Sequence, residues 1–301
     1  MADKPSRGLV LYGYGLASLI TPSHSHIHAV ASRGCCGFLA LDHSSPNPEE
    51  EDGKLIRELA QLLDANEVVC TTNEKADVGS EALKQVPSIK ERFMGMRAAI
   101  VTNSTSVKCF GEKLGFTVLE SQSSDLAANE LLKLLGFQDG KTVDDDHFDL
   151  VFVHIGAYMK GSTQHGIDYV NSLVGEILQV AQPGSEVASR LHLTLIMSNG
   201  AVTIDDPNLS LMSLHDVNNA DLQSLFPRQS YTLKGVNPRN GIRYHYPILI
   251  AQWQDAVTRK DMAKEFSFNE FSKNCGNLAI PADRFLYEVA FKLWKAPKYG
   301  A

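Results

Sequence analysis

Residues 149–178, DLVFVHIGAYMKGSTQHGIDYVNSLVGEIL, constrain the fold more than any other stretch of the chain. Residues 150–155 form an apolar run with two β-branched valines, which suits a parallel strand buried on both faces. A polar, glycine-containing loop follows. Then Ile167, Val170, Leu173, Val174, Ile177 and Leu178 recur at helical spacing. Strand, loop and amphipathic helix make one half of a βαβ unit. In open α/β sheets ligands gather at the carboxyl ends of strands, so residues 154–166 are where chemistry is expected.

The same alternation runs through the rest of the chain. Strands are predicted at 8–12, 36–41, 68–72, 98–102, 116–119, 191–197 and 246–251, with Pro247 placing the last at a sheet edge or a strand start. A short helix over 29–33 ends at Gly34, and Leu55, Ile56, Leu59, Leu62 and Leu63 mark an amphipathic helix. A helical pattern over 80–93 should be divided or kinked by Pro87. Ser104 caps a helix with Val107, Phe110 and Leu114 on one face and Gly115 at its end, and Ser124 caps another over 125–135 that closes at Gly136. Pro281 fits the first turn of a final helix carrying Phe285, Leu286, Val289, Leu293 and Trp294. Residues 205–226 read as irregular, and the tail 296–301 cannot continue the helix, leaving it to dock in a groove or fray. The expected architecture is α/β and three-layered, with a mostly parallel central sheet flanked by helices and residues 150–155 near its centre. The chain 1–301 is expected to be a single domain, with 42–97 as a small, mainly helical excursion packed on that sheet.

Composition narrows the function classes. At 44% hydrophobic and 21% charged residues the chain reads as a soluble globular protein. A formal charge of −7 without a basic stripe argues against nucleic-acid binding. The five cysteines include no CxxC pair, which fits reduced thiols in the cytosol, with Cys35 and Cys36 packing beside the first strand. There is no apolar leader, no Arg/Ser-rich presequence and no run of about eighteen apolar residues, so a cytoplasmic protein without membrane contact is expected.

Three local patterns then resemble one family. LVLYGYG (9–15) resembles a first strand with an Asp-Gly-x-Gly turn. HIHAVASRGCCGFL resembles the helix N-L-x-x-L-A-x-x-G-x-x-G after it. FDLVFVHIGAYMKGSTQHGIDYVNSLVGEIL resembles a segment reading V-H-V-x-A-x-D-x-x-G-H and the helix beyond it. Together they are similar to the compact branch of the cofactor-independent phosphoglycerate mutases of the alkaline phosphatase superfamily. The resemblance covers residues 8–41 and 98–200 and is weak elsewhere. It implies a parallel sheet with two divalent metals at its edge and a Ser or Thr nucleophile that carries a phosphoryl group between positions of a small phospho-acid.

Most of the implied ligands are substituted. The first-strand Asp falls on Tyr12, the later Asp on Met159 and its His near Ser162 or Thr163, and the Asp-His pair on Asn199-Gly200. Tyr and Met are poor replacements for hard oxygen ligands, and a neutral Asn brings no charge. Ser44 and Ser45 lie in the region of the nucleophile but lack its motif. No catalytic residue and no metal ligand is assigned. The resulting expectation is a mutase-like protein with a degraded dimetal centre and no cofactor, non-catalytic, that binds a small phosphorylated or anionic metabolite or a protein partner. The candidate ligand-binding residues are Tyr12, Met159, Lys160, His165 and Asn199, with Lys160 and His165 as anion contacts. The alternative is an active metal-dependent mutase or phosphomonoester phosphoryl-transfer enzyme using Mn²⁺ or Mg²⁺, or else Zn²⁺ or Co²⁺.

A weaker alternative is an unrelated metal hydrolase using His24, His26 and His28, which would share a face if they lay on a strand. The favoured reading places them in a loop entering a helix, where the three imidazoles scatter. His154 is expected to hydrogen-bond a neighbouring loop, Asp168 to sit in a helix first turn favoured by the dipole, and Arg239 and Arg243 to be surface charge.

Overall fold

In the computed structural model the described residues are 5–41, 51–68, 86–120, 127–143, 147–156, 163–200, 233–234, 237–238, 248–274 and 279–297. In chain order the strands are β1 (Arg7–Tyr14), β2 (Cys35–Ala40), β3 (Ala98–Val101), β4 (Thr117–Leu119), β5 (Phe137–Gln138), β6 (Lys141–Thr142), β7 (Leu150–Gly156), β8 (Leu191–Met197), β9 (Leu233–Lys234), β10 (Asn237–Pro238), β11 (Ile248–Trp253) and β12 (Ala279–Pro281). The helices are α1 (Ser25–Arg33), α2 (Glu51–Leu62), α3 (Ile89–Arg92), α4 (Thr105–Lys113), α5 (Ala128–Leu134), α6 (Thr163–Val180), α7 (Glu186–Arg190), α8 (Phe268–Asn274) and α9 (Phe285–Lys292).

Eight strands form one sheet in the order β12-β2-β11-β8-β1-β7-β3-β4, and β5-β6 and β9-β10 are small separate pairs. The block β8-β1-β7-β3-β4 is parallel throughout. β11 runs antiparallel to both β8 and β2, and β12 returns parallel to β2. The sheet is thus mostly parallel, as expected. Its centre is β1 and β8, with β7 one position further along.

Strand alternation sends successive residues to opposite layers. On one face Leu9 and Leu11 of β1, Val151 and Val153 of β7 and Leu193 and Leu195 of β8 pack under apolar stripes of α1, α5, α6 and α7. On the other, Val10, Tyr12, Tyr14, Phe152 and Ile196 pack under α2, α3, α4 and α9. Full burial of each such aliphatic side chain favours the fold by roughly 1.5–3 kcal/mol. No helix among the described residues is long and apolar enough to cross a membrane.

Several expectations are corrected. β11 lies inside the sheet, so it is not an edge strand; Pro247 itself lies outside the described residues. Val68 is helical rather than the start of a strand, and 69–72 lie outside the described residues. The expected helix over 80–93 is the short α3, which begins only after Pro87: Ser88 caps it in a reciprocal box with Glu91. α5 starts at Ala128 with Ala127 as its N-cap, not at Asp125. Pro281 ends β12 and leads through a 3₁₀ turn into α9, and Trp294 lies beyond that helix, exposed and at φ 61°, rather than on its buried face. Cys35 and Cys36 lie on β2, which pairs with β11 and not with β1. Ser104 does cap α4, accepting from Val107 N–H at 3.3 Å. Ala296 is buried, and the Pro297 carbonyl accepts from the Tyr287 hydroxyl at 2.7 Å, so the tail begins docked. Residues 205–226 lie outside the described residues.

Candidate functional site

The carboxyl ends of β1, β7, β8 and β3 meet on the face covered by α2 and α4. Register brings Tyr12 of β1 level with His154 of β7 and Ile196 of β8. Alternation then puts Tyr12, His154, Ser198 and Thr102 on one side of the sheet. The Tyr12 ring is wholly buried, with centroids 5.9 Å from Phe152 and 5.8 Å from His154. Its hydroxyl donates to Glu58 Oε1 at 2.7 Å. Glu58 is an acid set into the apolar stripe of α2, between Leu55 and Leu62, and is only 8% exposed.

Ser198, just past β8, ties this pair to the backbone. Its hydroxyl oxygen accepts from Gly15 N–H at 3.4 Å and Gly200 N–H at 3.3 Å. The same hydroxyl hydrogen-bonds Tyr12 and Glu58. The turns after β1 and β8 approach so closely that a Cβ on Gly200, at φ +64°, would lie 2.9 Å from Gly15 Cα. Only glycine suits that position.

Burial dominates the protonation of the site. It raises the Glu58 pKa to about 7, against the smaller lowering by the Tyr12 and Ser198 hydrogen bonds. It pushes the Tyr12 phenol well above its ordinary value, with Glu58 adding to the effect. His154 is lowered to about 4 by desolvation, only partly offset by Asp52. Its Nδ1 lies 2.9 Å from Thr102 Oγ1, so the expected bond to a neighbouring loop is present. At neutral pH the site therefore offers a phenol, a neutral imidazole and a carboxyl that is about half protonated.

Of the residues singled out in the sequence, Tyr12 is in this cluster. Asn199 adjoins it, half-buried between Ser198 and Gly200. His165 is exposed in the first turn of α6, in the helix layer covering the opposite face from the Tyr12 ring. Met159, Lys160, Ser44, Ser45, Arg239 and Arg243 lie outside the described residues. Asp168 lies past the first turn of α6, and its carboxylate meets His24 Nε2 at 3.1 Å.

The three alternating histidines belong to α1 and its N-cap, not to a strand. His24 Nδ1 accepts from Thr21 N–H at 2.9 Å. His28 Nδ1 accepts from Phe266 N–H at 2.9 Å, and its Nε2 meets Thr21 O at 3.0 Å. The His26 ring lies against Gly175 of α6, where an added Cβ would come within 2.6 Å of it. Each imidazole has a different structural neighbour. Among the described residues no group of three or more His, Cys, Asp or Glu side chains is placed to hold a metal ion.

Glu58, Ser198 and Thr102 were missed by sequence reasoning. Glu58 had a signal: it falls three residues after Leu55 and four before Leu62, on the face the helix must bury. Ser198 and Thr102 had only their positions at strand ends.

The fold and this strand-end cluster define a three-layer α/β protein with its polar site at the carboxyl edge of a mostly parallel sheet. Solved structures similar to it include the PH0037 protein from Pyrococcus horikoshii, with a TM-score of 0.56, 13% identity and 99% of each chain covered. They also include a cofactor-independent phosphoglycerate mutase from Thermoplasma acidophilum (TM-score 0.49, 10% identity, 95% of this chain and 98% of that one). A third is a protein in the alkaline phosphatase superfamily from Vibrio parahaemolyticus (TM-score 0.45, 11% identity, 86% of this chain and 62% of that one). At these identities the likeness is one of fold. No protein-family model and no curated protein sequence matches the chain.

Proposed function

We propose that the chain is a non-catalytic relative of the cofactor-independent phosphoglycerate mutases, whose strand-end site binds a small molecule without transferring a phosphoryl group. The observation that carries this is the buried Tyr12–Glu58 hydrogen bond of 2.7 Å at the end of β1. By the sequence resemblance, the Tyr12 position is where the family places a metal-binding aspartate. Here it is occupied by an aromatic ring that fills the space and by a phenol that keeps its proton.

The donor set does not fit two divalent ions. Two close cations repel, and joint binding needs several anionic oxygen ligands. Tyr12 is held neutral, Asn199 is neutral by nature, and Glu58 is raised to about 7 and already engaged by Tyr12. No reaction step through such metals is derived. Metal-supplemented protein is expected to contain well under one equivalent of metal by elemental analysis. It is also expected to show no mutase turnover with Mn²⁺, Mg²⁺, Zn²⁺ or Co²⁺. Near-stoichiometric metal together with turnover that Ser44→Ala or Ser45→Ala abolishes would overturn the reading.

A further inference from the structure

One donor in the strand-end site is left over by the Tyr12–Glu58–Ser198 network. His154 Nε2 is enclosed and has no hydrogen-bond partner among the described residues. The other ring nitrogen settles which tautomer is present. Thr102 Oγ1 accepts from Ser104 N–H at 3.1 Å and lies 2.9 Å from His154 Nδ1. A hydroxyl that accepts from Ser104 still has its own proton to give, and Nδ1 is the acceptor beside it. The ring proton then resides on Nε2. With the imidazole held neutral at pH 7, this is an uncharged N–H donor beside the Tyr12–Glu58 pair.

The charges around that donor limit what it can take. Asp52, near the start of α2, acts on His154 and accepts from Ser106 Oγ of α4 at 2.8 Å. Glu58 lies further along the same helix. Among the described residues, no lysine or arginine contributes to the protonation of either His154 or Glu58. A phosphate or carboxylate would be desolvated beside two acids with no cation to balance it. A metal cation would meet an N–H instead of a lone pair.

We infer that the site takes an uncharged small molecule that presents a hydroxyl or carbonyl oxygen to His154 Nε2, a polyol or sugar-like compound rather than a phosphorylated one. This rests on the reading of the site as a binding site without phosphoryl transfer, and it names the ligand class. The test is long-range ¹H–¹⁵N correlation of the full chain labelled at histidine nitrogens, titrated separately with glycerol, inorganic phosphate and 3-phosphoglycerate. The His154 signals are assigned by their loss in His154→Phe, or, if that variant does not fold, by their tautomer change in Thr102→Val. The expected result is a ring protonated at Nε2, whose Nε2 resonance shifts saturably with glycerol and not with either phosphate compound. An Nδ1-protonated ring overturns the inference, and so does a saturable shift with phosphate. A ring that no probe moves also overturns it, since its N–H is then satisfied by water alone. None of these failures alters metal content or mutase turnover, so the reading of the site as non-catalytic stands or falls separately.

Discussion

The two faces of the sheet are built from alternate residues of the same strands, yet they differ in kind. Under α1, α5, α6 and α7 the β1, β7 and β8 residues are aliphatic from one end to the other. Under α2, α4 and α9 the same strands bury Tyr12, His154, His192, Thr194 and Ser198 among their apolar neighbours. Burying polar groups costs stability unless each finds a partner. The first face is therefore where the fold is held together, and the second is where the molecule keeps chemistry in reserve.

The largest expected effect lies on the aliphatic face. Leu195→Ala should cost about 2–5 kcal/mol by denaturant unfolding, through lost burial and a residual void. The cost should be the same at acid and at neutral pH. A pH-dependent cost would mean that the two faces are not independent.

The second effect belongs to the polar face and runs with pH. Glu58 has its folded pKa raised from 4.5 to about 7. Its protonated form therefore contributes stability that is complete below the unfolded value and is lost as pH rises through about 7. The span is on the order of 3 kcal/mol. His154 and His192 are each lowered from 6.5 to about 4 and act in the opposite sense, with stability present above 6.5 and lost as pH falls through about 4. The wild-type curve mixes these terms. The difference between wild type and Glu58→Gln isolates the acid, and should shrink steadily from pH 4.5 to 7. A flat difference would show that Glu58 is not a buried neutral acid.

The smallest effect sharpens the same contrast. Tyr12→Phe removes a donor from a buried carboxyl and should cost about 1–3 kcal/mol. Because the Tyr12 hydrogen bond lowers the Glu58 pKa, its loss should move the Glu58 titration above about 7, as read from the carbonyl stretch of the protonated acid. A titration that moves down would place the proton donor elsewhere.

The aliphatic face was legible in the sequence and the polar one was not, for a physical reason. Apolar periodicity reports burial directly, so the strands at 150–155 and 191–197 and the stripe of α6 were found at nearly their observed limits. Local chemistry also told where it was self-contained: Ser104 caps α4 through its own neighbour Val107. Pro87 and Ser124 misled because helix limits there depend on tertiary packing as well as on local sequence. Glu58 was missed since a lone acid on an amphipathic helix is ordinarily solvated. Only the arrival of Tyr12, 46 positions away in the chain, makes its burial tolerable. The family resemblance pointed to Tyr12 and Asn199 but said nothing of the residues that now surround them.

The place of β11 has a consequence for how the chain is made. β2 comes directly after β1 in sequence, but β8 and β11 lie between them in the sheet. As the polypeptide leaves the ribosome, β2 emerges with neither neighbour available, and both its edges stay open until residues 248–253 and then 279–281 appear. Those pairings close long loops, which slows folding and lengthens exposure of unpaired edges. A nascent chain halted before β11 would carry the parallel block from β8 to β4 with β2 left unpaired, an intermediate that needs shielding until synthesis is almost complete.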